Sequence, residues 1–82
     1  MADFSYVYVL ESVNAPVRHY TGLTDDLKGR LAKHNAGGVS HTSKYGPWRI
    51  RVAVAFEFRE RAAEFEQYLK SHSGRAFSAK HF

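Results

Sequence analysis

Residues 4–23 run FSYVYVLESVNAPVRHYTGL, and the architecture follows from them. Phe4 to Leu10 is aromatic and β-branched, and after Ser5 both parities are apolar. That is the pattern of a central strand covered on both faces. The turn residues of SVNAP interrupt it, and Pro16 blocks further pairing. His19 to Leu23 then reads as the return strand of a hairpin.

Beyond the hairpin, Thr24 is the expected N-cap of a helix, with Asp25 and Asp26 where the helix dipole favours negative charge. The helix runs to about Asn35 and stops at Gly37-Gly38. A polar connection, GGVSHTSKYGPW, follows. From Ile50 to Phe58 the alternation puts Ile50, Val52, Val54, Phe56 and Phe58 on one side of a half-buried strand. Arg51, Ala53, Ala55 and Glu57 take the other. Glu60 to about His72 is rich in strong helix formers, and Ser73-Gly74 is the expected stop. RAFSAKHF adds one more short helical turn. The order β-β-α-β-α with a short helical tail predicts an α/β (α+β) fold, a small three-stranded antiparallel sheet flanked by helices.

The 82 residues fit one domain over the whole span 1–82, with 44 % hydrophobic and 15 % aromatic residues to fill a thin core. There are no cysteines, which excludes a disulfide scaffold, a thiolate nucleophile and a Cys-based zinc site. No apolar run reaches the length of a membrane span, and the start MADFSYVYVL lacks the basic region and cleavage site of a signal peptide. A cytoplasmic protein is expected. The net charge of +4 suits a polyanionic partner, although many small basic proteins have none.

Turned at about 100° per residue, the first helix has Leu27 and Leu31 on its apolar stripe. Arg30 and His34, four residues apart, fall beside that stripe. Asp26, Lys28, Gly29 and Lys33 face solvent. A guanidinium and an imidazole near a buried edge either meet an anion or snorkel into an ordinary salt bridge. On the second helix Ala62, Phe65 and Leu69 form the buried stripe and Glu66 lies at its edge, whereas Glu64, Gln67 and Ser71 face away. An inward carboxylate is paired, protonated or metal-bound. An ion pair between Glu66 and Arg30 would be the purely structural solution. Tyr8 and Tyr20, each alone, are ordinary strand tyrosines.

Taken in order, these residues resemble the GIY-YIG nuclease superfamily, which includes the N-terminal incision domain of a bacterial repair excinuclease, certain homing endonucleases and small stand-alone bacterial proteins. Tyr6-Val7-Tyr8 stands at the first motif and Tyr20-Thr21-Gly22 at the second. YTGLTDDLKGRLAKHN resembles the second motif running into the arginine-bearing helix, and AAEFEQYLK the helix of the metal-binding glutamate. The resemblance covers about Phe4 to Lys70. Tyr6 replaces the first motif's glycine and Thr21 the second motif's isoleucine. Leu23 stands where some relatives carry a lysine, and no late asparagine is present.

The resemblance implies a catalytic set of Tyr8, Tyr20, Arg30, His34 and Glu66. Glu66 would hold one Mg²⁺ or Mn²⁺, and Arg30 the scissile phosphate. Tyr8 would contact or deprotonate the attacking water, His34 would take or shuttle its proton, and Tyr20 would position water or phosphate. The substrate implied is nucleic acid, most simply DNA, in repair, defence or mobile-element functions, with a protein partner for targeting. Hydroxyls, imidazole and cations at His41, Thr42, Lys44, Lys70 and Arg75 suit phosphate contacts, and Tyr45 or Trp48 could stack on unpaired bases. Trp48 is more simply a core residue. The competing expectations are a module of this fold that binds nucleic acid without cutting it, and a small basic protein that docks on an acidic partner.

Overall fold

A computed structural model describes residues 3–82; Met1 and Ala2, part of the N-terminal stretch read above, lie outside it. The run of apolar residues at both parities becomes β1 (Ser5–Ser12), the middle strand of a sheet ordered β2-β1-β3. Both β2 (His19–Thr24) and β3 (Trp48–Phe56) pair with it antiparallel. Val7, Tyr8, Val9 and Leu10 are all buried, as a strand covered on both faces requires. On one face Val7 and Val9 meet Ala62 and Leu69, with Val52, Phe56, Phe65 and Phe77 around them. On the other, Tyr8, Leu10 and Trp48 pack with Tyr20, Leu27 and Leu31. The sheet thus separates two small cores, and a tyrosine of the first motif is a wall of the second.

A bulge divides β3 between these cores. Val9 pairs with Val52, but Leu10 pairs with Ile50, leaving Arg51 as the extra residue. Strict alternation predicts Ile50, Val52, Val54, Phe56 and Phe58 on one face. The extra residue instead turns Ile50 and Trp48 to the face of their partners Leu10 and Ser12, whereas Val52, Val54 and Phe56 stay with the core of Val7 and Val9. Phe58 is not in the strand; it is the N-cap residue of the next helix and 60 % exposed.

The first helix, α1 (Leu27–Asn35), begins later than the sequence suggests. Its N-cap is Asp26, whose carboxylate accepts from the Gly29 backbone N–H at 3.0 Å. Thr24 ends β2, its hydroxyl oxygen accepting from Asp26 N–H at 3.0 Å. The positive φ of Gly37, 79°, closes the helix where expected.

Helix α2 (Arg59–Lys70) breaks at Ser71 rather than at Gly74. Ser71 caps a further helix, α3 (His72–His81), by accepting from Gly74 N–H at 3.1 Å. The tail is therefore a ten-residue helix, not a single turn. Gly74 is there for close approach, since a Cβ would collide with the Tyr68 carbonyl. A glycine that reads as a stop signal in sequence is here the contact that folds α3 back on α2. Among the described residues, no helix is long and apolar enough to cross a membrane.

Candidate active site

Tyr8 sits directly opposite Gly22 in the β1–β2 register. Its ring lies over the glycine so closely that a Cβ at position 22 would overlap the phenol carbon and hydroxyl. The second motif's glycine is thus the space the first motif's tyrosine occupies. Burial aims the hydroxyl at α1, where Leu27 and Leu31 dock on the same core and bring His34 inward. His34 is 1 % exposed.

The hydrogen bonds around His34 run in one direction. The Thr42 hydroxyl donates to the Val39 carbonyl at 3.2 Å, so its oxygen is free to accept from His34 Nδ1–H at 2.8 Å. That fixes the tautomer: Nε2 carries the lone pair and accepts from the Tyr8 hydroxyl at 3.0 Å. Burial, with the positive charges of Arg30 and Lys33 beside it, pulls the His34 pKa below its ordinary value and keeps the ring neutral. The loop behind it is clasped in turn. Asn35 accepts from Trp48 N–H at 2.6 Å and donates to the Trp48 carbonyl at 3.1 Å. Trp48 Nε1–H donates to the Thr42 carbonyl at 2.9 Å, which makes Trp48 a core residue.

Tyr20 is half-buried, its ring centroid 4.9 Å from that of His34 and 6.4 Å from that of Tyr8. Arg30, also half-buried on α1, has no ion pair among the described residues. Glu66 does not reach it. Its carboxylate pairs one turn along α2 with Lys70 at 3.1 Å. The two glutamates differ as their helix faces demand, with side chains 15 % exposed for Glu66 and 71 % for Glu64. Burial, then Tyr20, pushes the Tyr8 pKa up to about 12. Arg30 opposes the rise and Glu66 adds to it, so both charges bear on the phenol oxygen.

The residues expected to contact substrate separate into three groups. His41, Lys70 and Arg75 line a cavity of about 580 Å³ that also reaches Tyr20. Lys44 is exposed in the loop. Thr42 has no hydroxyl free for a substrate: it is 1 % exposed and its hydroxyl is committed to His34 and Val39. Nothing local in the sequence marks that role, because the contact joins a helix to a loop.

Glu11 is a residue that the sequence reading misses. Near the C-terminal end of β1 it accepts from Arg49 and Arg51 on β3, each at 2.5 Å, and lies 3.2 Å from His19 on β2. These hydrogen bonds, that of Arg49 foremost, hold its pKa down at about 2. Arg51 also donates to the Phe82 carbonyl, so this cluster ties all three strands to the end of α3. Its only sequence signal is one acid on β1 facing two arginines two residues apart on β3.

Tyr8, His34 and Thr42 thus form one buried hydrogen-bonded row, and the charges of Arg30 and Glu66 act on its phenol end. The profile of the GIY-YIG catalytic domain matches residues 4–80, and the chain belongs to that family. It is 42 % identical over 65 residues to a structure-specific endonuclease subunit SLX1 homolog of Giardia intestinalis, covering 74 % of this chain and 18 % of that protein. The structure-specific endonuclease subunit SLX1 of Candida dubliniensis is 41 % identical over 75 residues, covering 83 % of this chain and 26 % of that one. A UPF0213 protein of Streptococcus pyogenes serotype M3 is 40 % identical over 73 residues, covering 88 % and 77 %. No solved structure matches the chain.

Proposed function

We propose that this chain is an endonuclease that hydrolyses phosphodiester bonds in DNA with one divalent cation, Mg²⁺ or Mn²⁺, held by Glu66. The observation that carries the reading is the directed chain from Tyr8 through His34 to Thr42. The raised Tyr8 pKa and the lowered His34 pKa keep the proton on the phenol at rest. The neutral His34, with its lone pair on Nε2, takes it only as Tyr8 takes one from the attacking water. Tyr20 positions water or phosphate through its hydroxyl. Arg30, unpaired by any carboxylate among the described residues, holds the phosphate through parallel N–H donors.

Among the described residues no group of three or more His, Asp or Glu could enclose a metal. The donor set present is one partly buried carboxylate, which fits a hard cation that keeps several waters and shares the substrate's oxygens. Lys70, on a flexible stem and 48 % exposed, can swing off Glu66. When bound, the ion would supply charge stabilisation at the phosphate and the departing oxygen. A place in DNA repair and in the cytoplasm is part of the same proposal.

The Lys70–Glu66 contact favours one alternative, a module that binds nucleic acid without cutting it. Incubation with single-stranded, duplex and branched DNA and RNA, with Mg²⁺, Mn²⁺ or EDTA, separates the two. Cutting that needs the ion and is lost in Glu66→Gln supports the nuclease. Binding with no cutting under any ion supports the module.

A further inference from the structure

Tyr20 stands on a ridge between two unlike hollows. The cavity on one side presents Arg51, Lys70 and Arg75. The cleft on the other, about 340 Å³, is lined by Val17, Arg18, His41, Tyr45 and Trp48. It is aromatic rather than simply basic. The Arg18 guanidinium lies 4.0 Å above the centre of the Tyr45 ring, a cation–π pair on the surface. Tyr45 is 38 % exposed and Val17 57 %. The loop under them is fixed, since Tyr45 N–H donates to the Thr42 carbonyl at 3.1 Å, and that carbonyl is also held by Trp48.

We infer that the Arg18–Tyr45 cleft is a stacking subsite for an unpaired nucleobase next to the scissile phosphate. Planar, layered, cationic surfaces suit a base with a free face, because stacking is indifferent to sequence and strengthened by arginine. The opposite cavity sets Lys70 and Arg75 beside an apolar wall of Val9, Leu69 and Ala79, and those two cations suit backbone phosphates. A strand crossing Tyr20 would lay its phosphates in the cavity and one splayed base in the cleft. A fully paired duplex has no base face to offer. The subsite thereby selects junctions, flaps and single strands over continuous duplex. This rests on the nuclease reading for its substrate, but the subsite itself can be tested without cleavage.

The experiment uses the whole chain in EDTA, with oligonucleotides carrying 2-aminopurine at successive positions through a flap junction, and a matched duplex. Fluorescence at one unpaired position beside the junction should fall several-fold on binding. Tyr45→Ala should abolish that change and weaken flap binding about tenfold, the scale of one stacked base, with duplex binding within about twofold. Tyr45→Phe should retain both, and Arg18→Ala should behave like Tyr45→Ala. Tyr45→Ala binding the flap as the wild type does, or no position changing in fluorescence, overturns the subsite while leaving the nuclease reading intact. Failure to bind any nucleic acid overturns both.

Discussion

The Tyr8 hydroxyl and His34 Nε2 meet at 3.0 Å in the interior, the phenol donating and the imidazole accepting. Tyr8→Phe removes that donor and leaves the ring in place over Gly22. Cleavage should fall about a hundredfold or more, the scale of a lost proton-transfer group. His34 would also lose a buried partner, so unfolding should become easier by about 1–2 kcal/mol. Single-turnover cleavage and denaturant unfolding on the same sample check both halves. An active Tyr8→Phe protein would return the residue to a packing role.

Thr42→Val keeps the shape of the side chain and removes the oxygen that accepts from His34 Nδ1. The imidazole would then carry a buried N–H without an acceptor, at a cost of about 1–3 kcal/mol. Freed from that tether, the ring can carry its proton on either nitrogen. The expected result is reduced kcat with KM little changed, and Thr42→Ser restoring both rate and stability. A normal valine variant beside an impaired serine variant would mean that Thr42 acts only through its methyl group.

Glu66→Gln should abolish metal-dependent cutting while nucleic-acid binding survives, because the amide keeps the shape and loses the charge. Glu64→Gln, about 160° away on α2, should be close to neutral, as for a solvent-facing position. Wild-type cutting by Glu66→Gln in Mg²⁺ would place the metal elsewhere.

Acid should act through Glu11. Its carboxyl sits near pKa 2 in the fold against an ordinary 4.5, so the unfolded chain takes up the proton first. The contribution of this cluster is complete above about pH 4.5 and is lost as pH falls toward about 2. His34 acts in the same direction from a higher start, since its lowered pKa makes the unfolded chain the better base below about 6.5. Glu11→Gln should lower stability at neutral pH and flatten the loss between 4.5 and 2, leaving the His34 part unchanged. Thermal unfolding from about pH 2 to neutral measures both.

What could be read from the sequence is what periodicity encodes. The two apolar parities of β1, the stripe of Leu27 and Leu31 with His34 at its edge, and the inward placement of Glu66 relative to Glu64 all depend on neighbours within a turn or two. What could not be read depends on meetings between distant segments. The bulge at Arg51 is set by which face each partner on β1 presents, and no alternation within β3 reveals it. Thr42 finds His34, and Glu11 finds Arg49, across 8 and 38 residues of chain. Helix α3 is longer than its sequence suggests because Gly74, which reads as punctuation, is a packing contact.

The opposition of Tyr8 and Gly22 carries a consequence for how freely these positions can vary. Any side chain at 22 collides with the phenol ring itself, not only with its hydroxyl. In a library randomised at both positions and selected for folding alone, bulk should trade across the strand pair, large residues at 22 surviving only beside small ones at 8. Selection for cutting should collapse that trade to a single solution, tyrosine with glycine. The two motifs would then vary as one letter rather than two.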